Sequence, residues 1–119
     1  MKRIKVTPAS SIEIAVDHSG ENVIVRLNGR VDVDSSPDVR DRLQAILSSD
    51  PLPHAVTVDL SGVTSIEASG IATLIEALKV ARHHEIRFHL QGHGSVLQLF
   101  DSSGLLALFD NSSGGNGVS

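Results

Sequence analysis

The sequence predicts a single α/β domain, and two stretches carry that expectation. Val56-Thr57-Val58-Asp59-Leu60 is a short β-rich apolar run that passes into a Ser/Gly/Thr-rich loop. Ile71, Leu74, Ile75, Leu78 and Ala81 then fall at offsets 0, 3, 4, 7 and 10, the spacing of one helix face. Nearer the start, Ile12, Ile14 and Val16 alternate with Glu13 and Ala15, and Val23, Val25 and Leu27 alternate again. That is the period-two pattern of half-buried strands. A chain of 119 residues holding strands and helices in this order fits one domain, able to bury roughly two thirds of its unfolded surface.

Taken in order, the chain opens on a basic stub, Lys2-Arg3-Ile4-Lys5-Val6, broken by Thr7-Pro8-Ala9-Ser10. The two alternating runs are expected to form an antiparallel hairpin, with Asp17-His18-Ser19-Gly20-Glu21-Asn22 as its turn. Asn28-Gly29 is a tight-turn signal, after which Val31 and Val33 resume the alternation with Asp32 and Asp34. Ser36-Pro37 supplies a helix N-cap followed by proline at the first helical position. Val39, Leu43, Ile46 and Leu47 mark the buried side of that helix, which Ser48-Ser49-Asp50 and the prolines Pro51 and Pro53 end. After the central strand and helix, Glu85-Ile86-Arg87-Phe88-His89-Leu90 alternates as another strand. Gly92-His93-Gly94 reads as a loop, Ser95 as the cap of a short helix through Val96, Leu97, Leu99 and Phe100, and Gly104 as its stop. Leu105-Leu106-Ala107-Leu108-Phe109 follows as a short buried element. The domain is expected to run over 12–110, between an N-terminal segment 1–11 and a flexible low-complexity tail 111–119.

Composition removes several classes of function. Hydrophobic residues make up 40% and charged residues 20%, ordinary for a globular protein, and three Phe with no Trp or Tyr leave an aliphatic core. A net charge of −4 argues against nucleic acid, which requires a basic face. No cysteine means no disulfide and no thiol chemistry, compatible with the cytosol. No apolar run approaches the roughly 18 residues of a membrane span, and no signal-peptide core follows Met1. A cytoplasmic module with no membrane insertion is expected.

The candidate site is the passage into the second helix. The N-terminus of a helix after a strand presents unpaired N–H groups and the positive end of a dipole. Ser69, with Gly70 behind it, places a hydroxyl there, where an added phosphate would be tolerated. Two structural readings stand beside this one. Ser69 could be an N-cap, holding a backbone N–H and nothing more. Alternatively Thr64-Ser65-Ile66-Glu67 fits a capping box, and a helix beginning at Ser65 would carry Ser69 into its second turn.

Asp59-Leu60-Ser61-Gly62-Val63, followed by Glu67-Ala68-Ser69-Gly70-Ile71, resembles the phosphorylation loop of the STAS domain, the fold of bacterial anti-sigma factor antagonists. The family pattern is D-L-S-x-V, a short loop, then D-[ST]-S-G-[LI] opening a helix. The resemblance covers roughly residues 12–109. It implies a four- or five-stranded mixed sheet with helices mainly on one face and a switch loop at its edge. It also implies that Ser69 is the phospho-acceptor, with Glu67, Ala68, Gly70 and Ile71 forming part of the partner surface. Glu67 stands where the family has Asp, and Ala68 lacks a hydroxyl present in the family. Leu27-Asn28-Gly29-Arg30-Val31-Asp32, followed by Ser35-Ser36-Pro37, resembles the family's L-x-G-x-[LIV]-D…[ST]-[AS]-P segment. By that likeness Asp32 and Ser35 lie beside the loop and contact the partner; read from residues alone, Asp32 is a solvated loop carboxylate.

The function so implied is a phosphorylation-controlled anti-sigma factor antagonist. It would bind an anti-sigma factor of the ATP-binding serine-kinase type when unphosphorylated and be released when Ser69 is phosphorylated. Such a domain is a kinase substrate and no enzyme; it needs no catalytic residue, cofactor or metal of its own. Within the same fold, the alternative is an unswitched scaffold subunit of a lipid-transport ATPase or stress-signalling complex. From another class, a serine hydrolase would require a histidine base beside Ser69. Asp101-Ser102-Ser103-Gly104 matches the family consensus literally but follows a helix, where the dipole's negative end disfavours phosphate, and it reads as a helix stop. His89 and His93 have a zinc-like spacing without an evident third ligand, and the pair His83-His84 reads as surface.

Overall fold

The computed structural model describes residues 12–92. Four strands and two helices follow one another as β1 (Ile12–Ser19), β2 (Asn22–Val31), α1 (Ser36–Leu47), β3 (Ala55–Ile66), α2 (Ala68–His83) and β4 (Arg87–Gln91). The strands form one mixed sheet in the order β1-β2-β3-β4. β1 pairs antiparallel with β2, while β2–β3 and β3–β4 are parallel. Parallel neighbours need a crossover, and α1 and α2 provide the two. Because both crossovers step across the sheet in the same direction, both helices lie on one face and pack against each other. The sequence expectations for 93–119, including the short helix from Ser95, the Asp101–Gly104 segment and the tail, lie outside the described residues, as does the basic stub.

The register shows why the alternating runs form strands. Val16 faces Val25, Ile14 faces Leu27, Val25 faces Val58, and Val56 faces Phe88, so one apolar set lines the helix side of all four strands. Val39, Leu43, Ile46 and Leu47 of α1 and Leu74, Ala77, Leu78 and Ala81 of α2 close over it. Each fully buried Val, Leu or Phe side chain contributes about 1.5–3 kcal/mol relative to exposure. The core is aliphatic around a single described aromatic, Phe88. The opposite face carries Arg26, which pairs with Asp17 on β1 and lies 3.7 Å from Asp59 on β3.

Three sequence expectations are corrected here. The hairpin turn is shorter than six residues. Asp17, His18 and Ser19 remain paired with Ile24, Val23 and Asn22, leaving Gly20-Glu21 as a two-residue loop with Gly20 at φ +63°. Asn28-Gly29 is no turn, for both residues lie inside β2. Gly29 takes φ +113° where the β2–β3 register slips, so its left-handed freedom serves a bulge. Finally, Ser61-Gly62-Val63-Thr64-Ser65-Ile66 is not a loop. β3 runs to Ile66, with Asn28 beside Gly62, Gly29 beside Val63 and Val31 beside Ile66. Cross-strand pairing and the burial of Val63 and Ile66 override the turn-like composition.

Helix ends shift by a residue or two. α1 begins at Ser36 with Ser35 as the N-cap, so Pro37 is the second helical residue. The capping box at Thr64 is not used, because α2 starts at Ala68 with Glu67 as the N-cap. Glu85 sits at φ +62° just beyond α2, and β4 begins only at Arg87.

Candidate functional site

β3 delivers its last residue, Ile66, against Val31 at the end of β2, and the Glu67 N–H donates to the Val31 carbonyl (2.9 Å). The start of α2 is thereby fixed to the β2–α1 turn. Glu67 takes an extended N-cap conformation, φ −100° and ψ 174°, but its side chain makes no capping bond. No acidic residue lies within the first turn of α2, and the carboxylate at the positive end of its dipole is that of the exposed N-cap Glu67.

Ser69 is the second residue of this helix and is half-buried. It is not the N-cap. Its hydroxyl lies 3.2 Å from that of Ser36, the first residue of α1. A hydroxyl carries one proton, and Ser36 commits its own to the shorter bond, 2.6 Å, to the Asp32 carbonyl. The proton between the two serines therefore comes from Ser69. The Ser69 carbonyl in turn accepts from the Thr73 hydroxyl at 2.9 Å.

Ser36 is held by a turn that Asp32 organises. The Asp32 carboxylate accepts from the backbone N–H groups of Asp34 and Ser35, each at 3.0 Å, and the Ser35 hydroxyl, whose one proton is shared between this carboxylate (3.2 Å) and the Arg30 carbonyl, lies beside it. The Ser35 hydroxyl accepts from the Asp32 N–H (2.9 Å) and donates to the Arg30 carbonyl (2.8 Å). The Ser35 N–H, above all, holds the Asp32 carboxyl below the usual aspartate value. The Asp34 N–H, the Ser35 hydroxyl and the Arg30 guanidinium add to this, and partial burial opposes it. Asp32 is thus not a freely solvated carboxylate; its side chain is 16% exposed, with one oxygen taken by the turn and the other 3.9 Å from Arg30.

The residues assigned to the partner surface divide by exposure. Glu67 and Ala68 are exposed, and Asp32 and Ile71 are half-buried. Ser35 has no exposed surface, so its hydroxyl builds the turn and offers nothing to a partner. Gly70 is likewise buried. A Cβ there would stand 2.4 Å from Val31 Cγ1 and 2.9 Å from Ile66 Cγ1, so the glycine lets α2 approach the sheet. Asp59, from the D-L-S motif, accepts from both the N–H and the hydroxyl of Ser61 and lies remote from this turn, on the open face.

Between the first turns of α1 and α2 lies a hollow of about 330 Å³, lined by Val33, Ser36, Pro37, Arg40, Ser69, Ala72, Thr73 and Glu76. Arg40, Thr73 and Glu76 were not singled out by the sequence reading. The signal was available: Arg40 is four residues beyond Ser36, and Thr73 and Glu76 are four and seven beyond Ser69, hence on shared helix faces. Among the described residues, no histidine lines this hollow, and no group of three side chains is disposed to hold a metal ion. His83 and His84 stack edge to face at the far end of α2, and His89 lies within β4.

Comparison with protein families places this arrangement. Residues 14–109 match the family described as Mlab, STAS domain. The chain belongs to the STAS domain family. Comparison with curated proteins finds no match. Among solved structures, an anti-sigma factor antagonist from Mycobacterium paratuberculosis is similar with a TM-score of 0.71 and 20% identity, over 89% of this chain and 93% of that one. The anti-sigma factor antagonist SpoIIAA in its unphosphorylated form gives 0.66 and 17%, over 80% and 84%. A sulfate transporter family protein from Wolinella succinogenes gives 0.65 and 18%, over 79% and 76%. At these identities the likeness is one of fold: this STAS domain has the architecture of anti-sigma factor antagonists. Among its described residues no helix is long and apolar enough to cross a membrane.

Proposed function

We propose that this STAS domain is a protein-binding module of the anti-sigma factor antagonist kind, switched by phosphorylation of Ser69. The observation that carries the reading is the Ser69 hydroxyl itself. It is half-buried on the first turn of α2 and hydrogen-bonded to Ser36 of the turn that Asp32 braces. The partner, an anti-sigma factor of the ATP-binding serine-kinase type, would dock over Glu67, Ala68, Ser69 and Ile71. ATP would be bound by that partner. In the transfer, a bond forms from Ser69 Oγ to the γ-phosphorus as the bond to the ADP leaving group breaks, and the hydroxyl proton passes to a base of the kinase partner. The product carries about −1.5 to −2 charge at neutral pH. At a docked surface, that charge is disfavoured by desolvation and by any facing carboxylate, and it breaks the Ser69–Ser36 bond as a donor. Incubation with the kinase and ATP tests this reading: one phosphate is expected, on Ser69, and a Ser69→Ala variant labelled elsewhere, for example at Ser103, would overturn it.

A second reading within the family is an unswitched scaffold subunit, and one observation favours it. Glu67 is one methylene longer than the aspartate of the phosphorylation motif and Ala68 lacks its hydroxyl, and both are exposed where a kinase would read them. Partner binding that is indifferent to phosphate on Ser69 would select the scaffold.

A further inference from the structure

We infer that Arg40 of α1 is a built-in counter-cation for phosphate on Ser69, drawing the phosphoryl group down between α1 and α2. The inference rests on the switch reading above and adds a regulatory residue to it. Arg40 and Ser36, one turn apart on α1, line the same hollow as Ser69. The hollow, at about 330 Å³, has the volume of about ten waters, so it has room for an added group. Among the described residues, no carboxylate lies within ion-pairing distance of Arg40. Glu76, the acidic residue of the same lining, forms no ion pair with it.

The chemistry then follows from charge. A guanidinium presents planar paired donors that match phosphate oxygens, and a dianion is a stronger partner for it than the single charge of Glu76. The first turn of α2 adds the positive end of its dipole, while the N–H groups of Glu67, Gly70 and Ile71 are already bonded to backbone carbonyls. Ser36, which accepts the Ser69 proton in the free domain, would rest beside the phosphate oxygens instead. Glu76, two turns along α2, opposes the dianion, and the adjoining segments carry further carboxylates in Asp32 and Asp34 of the β2–α1 turn, Asp38 in the first turn of α1 and Glu67 ahead of α2. Arg40 must outweigh these repulsions. A phosphate so held is lowered in its second pKa and favoured in its dianionic form at neutral pH, which makes the released state persistent.

The test uses the full chain with phosphoserine installed at position 69 by genetic encoding, so no kinase is needed. Phosphorus NMR then follows the titration of that phosphate directly. The midpoint is expected to lie about 0.5–1 pH unit lower in the wild-type background than in Arg40→Gln, with Arg40→Lys between them. Glu76→Gln is expected to move the midpoint down, opposite to Arg40→Gln. Identical midpoints for wild type and Arg40→Gln would overturn the assignment, as would movement of both variants in the same sense. Arg40 is exposed on α1, so the variants retain the fold. Failure of the switch reading has a separate signature: unchanged partner affinity in the phosphoserine chain, whatever the titration shows.

Discussion

The hydroxyls of Ser36 and Ser69, separated by 33 positions in the chain, lie 3.2 Å apart and join the first turns of the two helices. Everything that places Ser36 therefore also sets the position from which Ser69 can react or bind. Ser36 is 6% exposed, and its oxygen is shared between the Asp32 carbonyl and Ser69. Ser36→Ala removes both bonds and leaves the Asp32 carbonyl without the hydroxyl donor. A loss of about 1–2 kcal/mol in urea unfolding is expected. No loss at all would mean that water replaces the hydroxyl fully.

The β2–α1 turn gives a pH dependence with a definite sign. The Asp32 carboxyl is held below the usual aspartate value of about 3.9. A carboxylate depressed on folding contributes stability that is fully present above the unfolded value and is lost as pH falls through the folded one. Asp32→Asn should therefore melt below wild type at pH 7, and the gap should close as the pH drops below about 4. A gap that widens in acid would contradict the turn's dependence on the ionised carboxylate. Asp32→Ala would loosen the same turn, and its effect would reach Ser69 through Ser36.

Gly70 sits where α2 meets the sheet, with Val31 Cγ1 and Ile66 Cγ1 inside the space of an added methyl group. Both neighbours are buried side chains anchored in the core. Gly70→Ala is expected to cost about 1–3 kcal/mol by overpacking, despite the better helix propensity of alanine. An increase in stability on thermal unfolding would show that α2 can lift without penalty.

At the helix start, Glu67 occupies the N-cap without capping. Aspartate, one methylene shorter, is a favoured N-cap and can accept from the N–H groups of the first turn. Glu67→Asp should raise stability by about 0.5–1 kcal/mol, measured by urea unfolding. It would also restore the residue that the STAS phosphorylation motif carries at this place. A neutral or unfavourable change would mean that the exposed N-terminus of α2 is already satisfied by water.

Much of this was legible in the sequence because period and burial agree. Val23, Val25 and Leu27 alternate and are all buried, and Val39, Leu43, Ile46 and Leu47 share one helical face and are all buried. Where the reading failed, a local signal lost to pairing. Asn28-Gly29 has turn chemistry, but a neighbouring parallel strand continues beside it, and Gly29 spends its positive φ on a bulge. Gly62, Thr64 and Ser65 look like loop, yet β2 pairs with Gly62, Val63, Ser65 and Ile66. The site was legible as a serine before a glycine. Its support from α1 was not, because Ser36 and Arg40 come to line the same hollow as Ser69 only once α1 and α2 pack side by side.

The central claim, that phosphate on Ser69 dismisses the partner, is tested most directly by isothermal calorimetry. Chains carrying serine, phosphoserine, alanine or aspartate at position 69 are titrated against ATP-binding serine-kinase anti-sigma factors encoded in the same genome. Ser69→Ala should bind close to wild type, and Ser69→Asp should bind more weakly without loss of stability. A carboxylate at that helix start is worth about 0.3–1 kcal/mol in favour of folding. The phosphoserine chain is expected to bind at least about tenfold more weakly than the serine chain, a difference of about 1.4 kcal/mol. Equal affinity for the serine and phosphoserine chains would contradict the switch and leave the scaffold in its place.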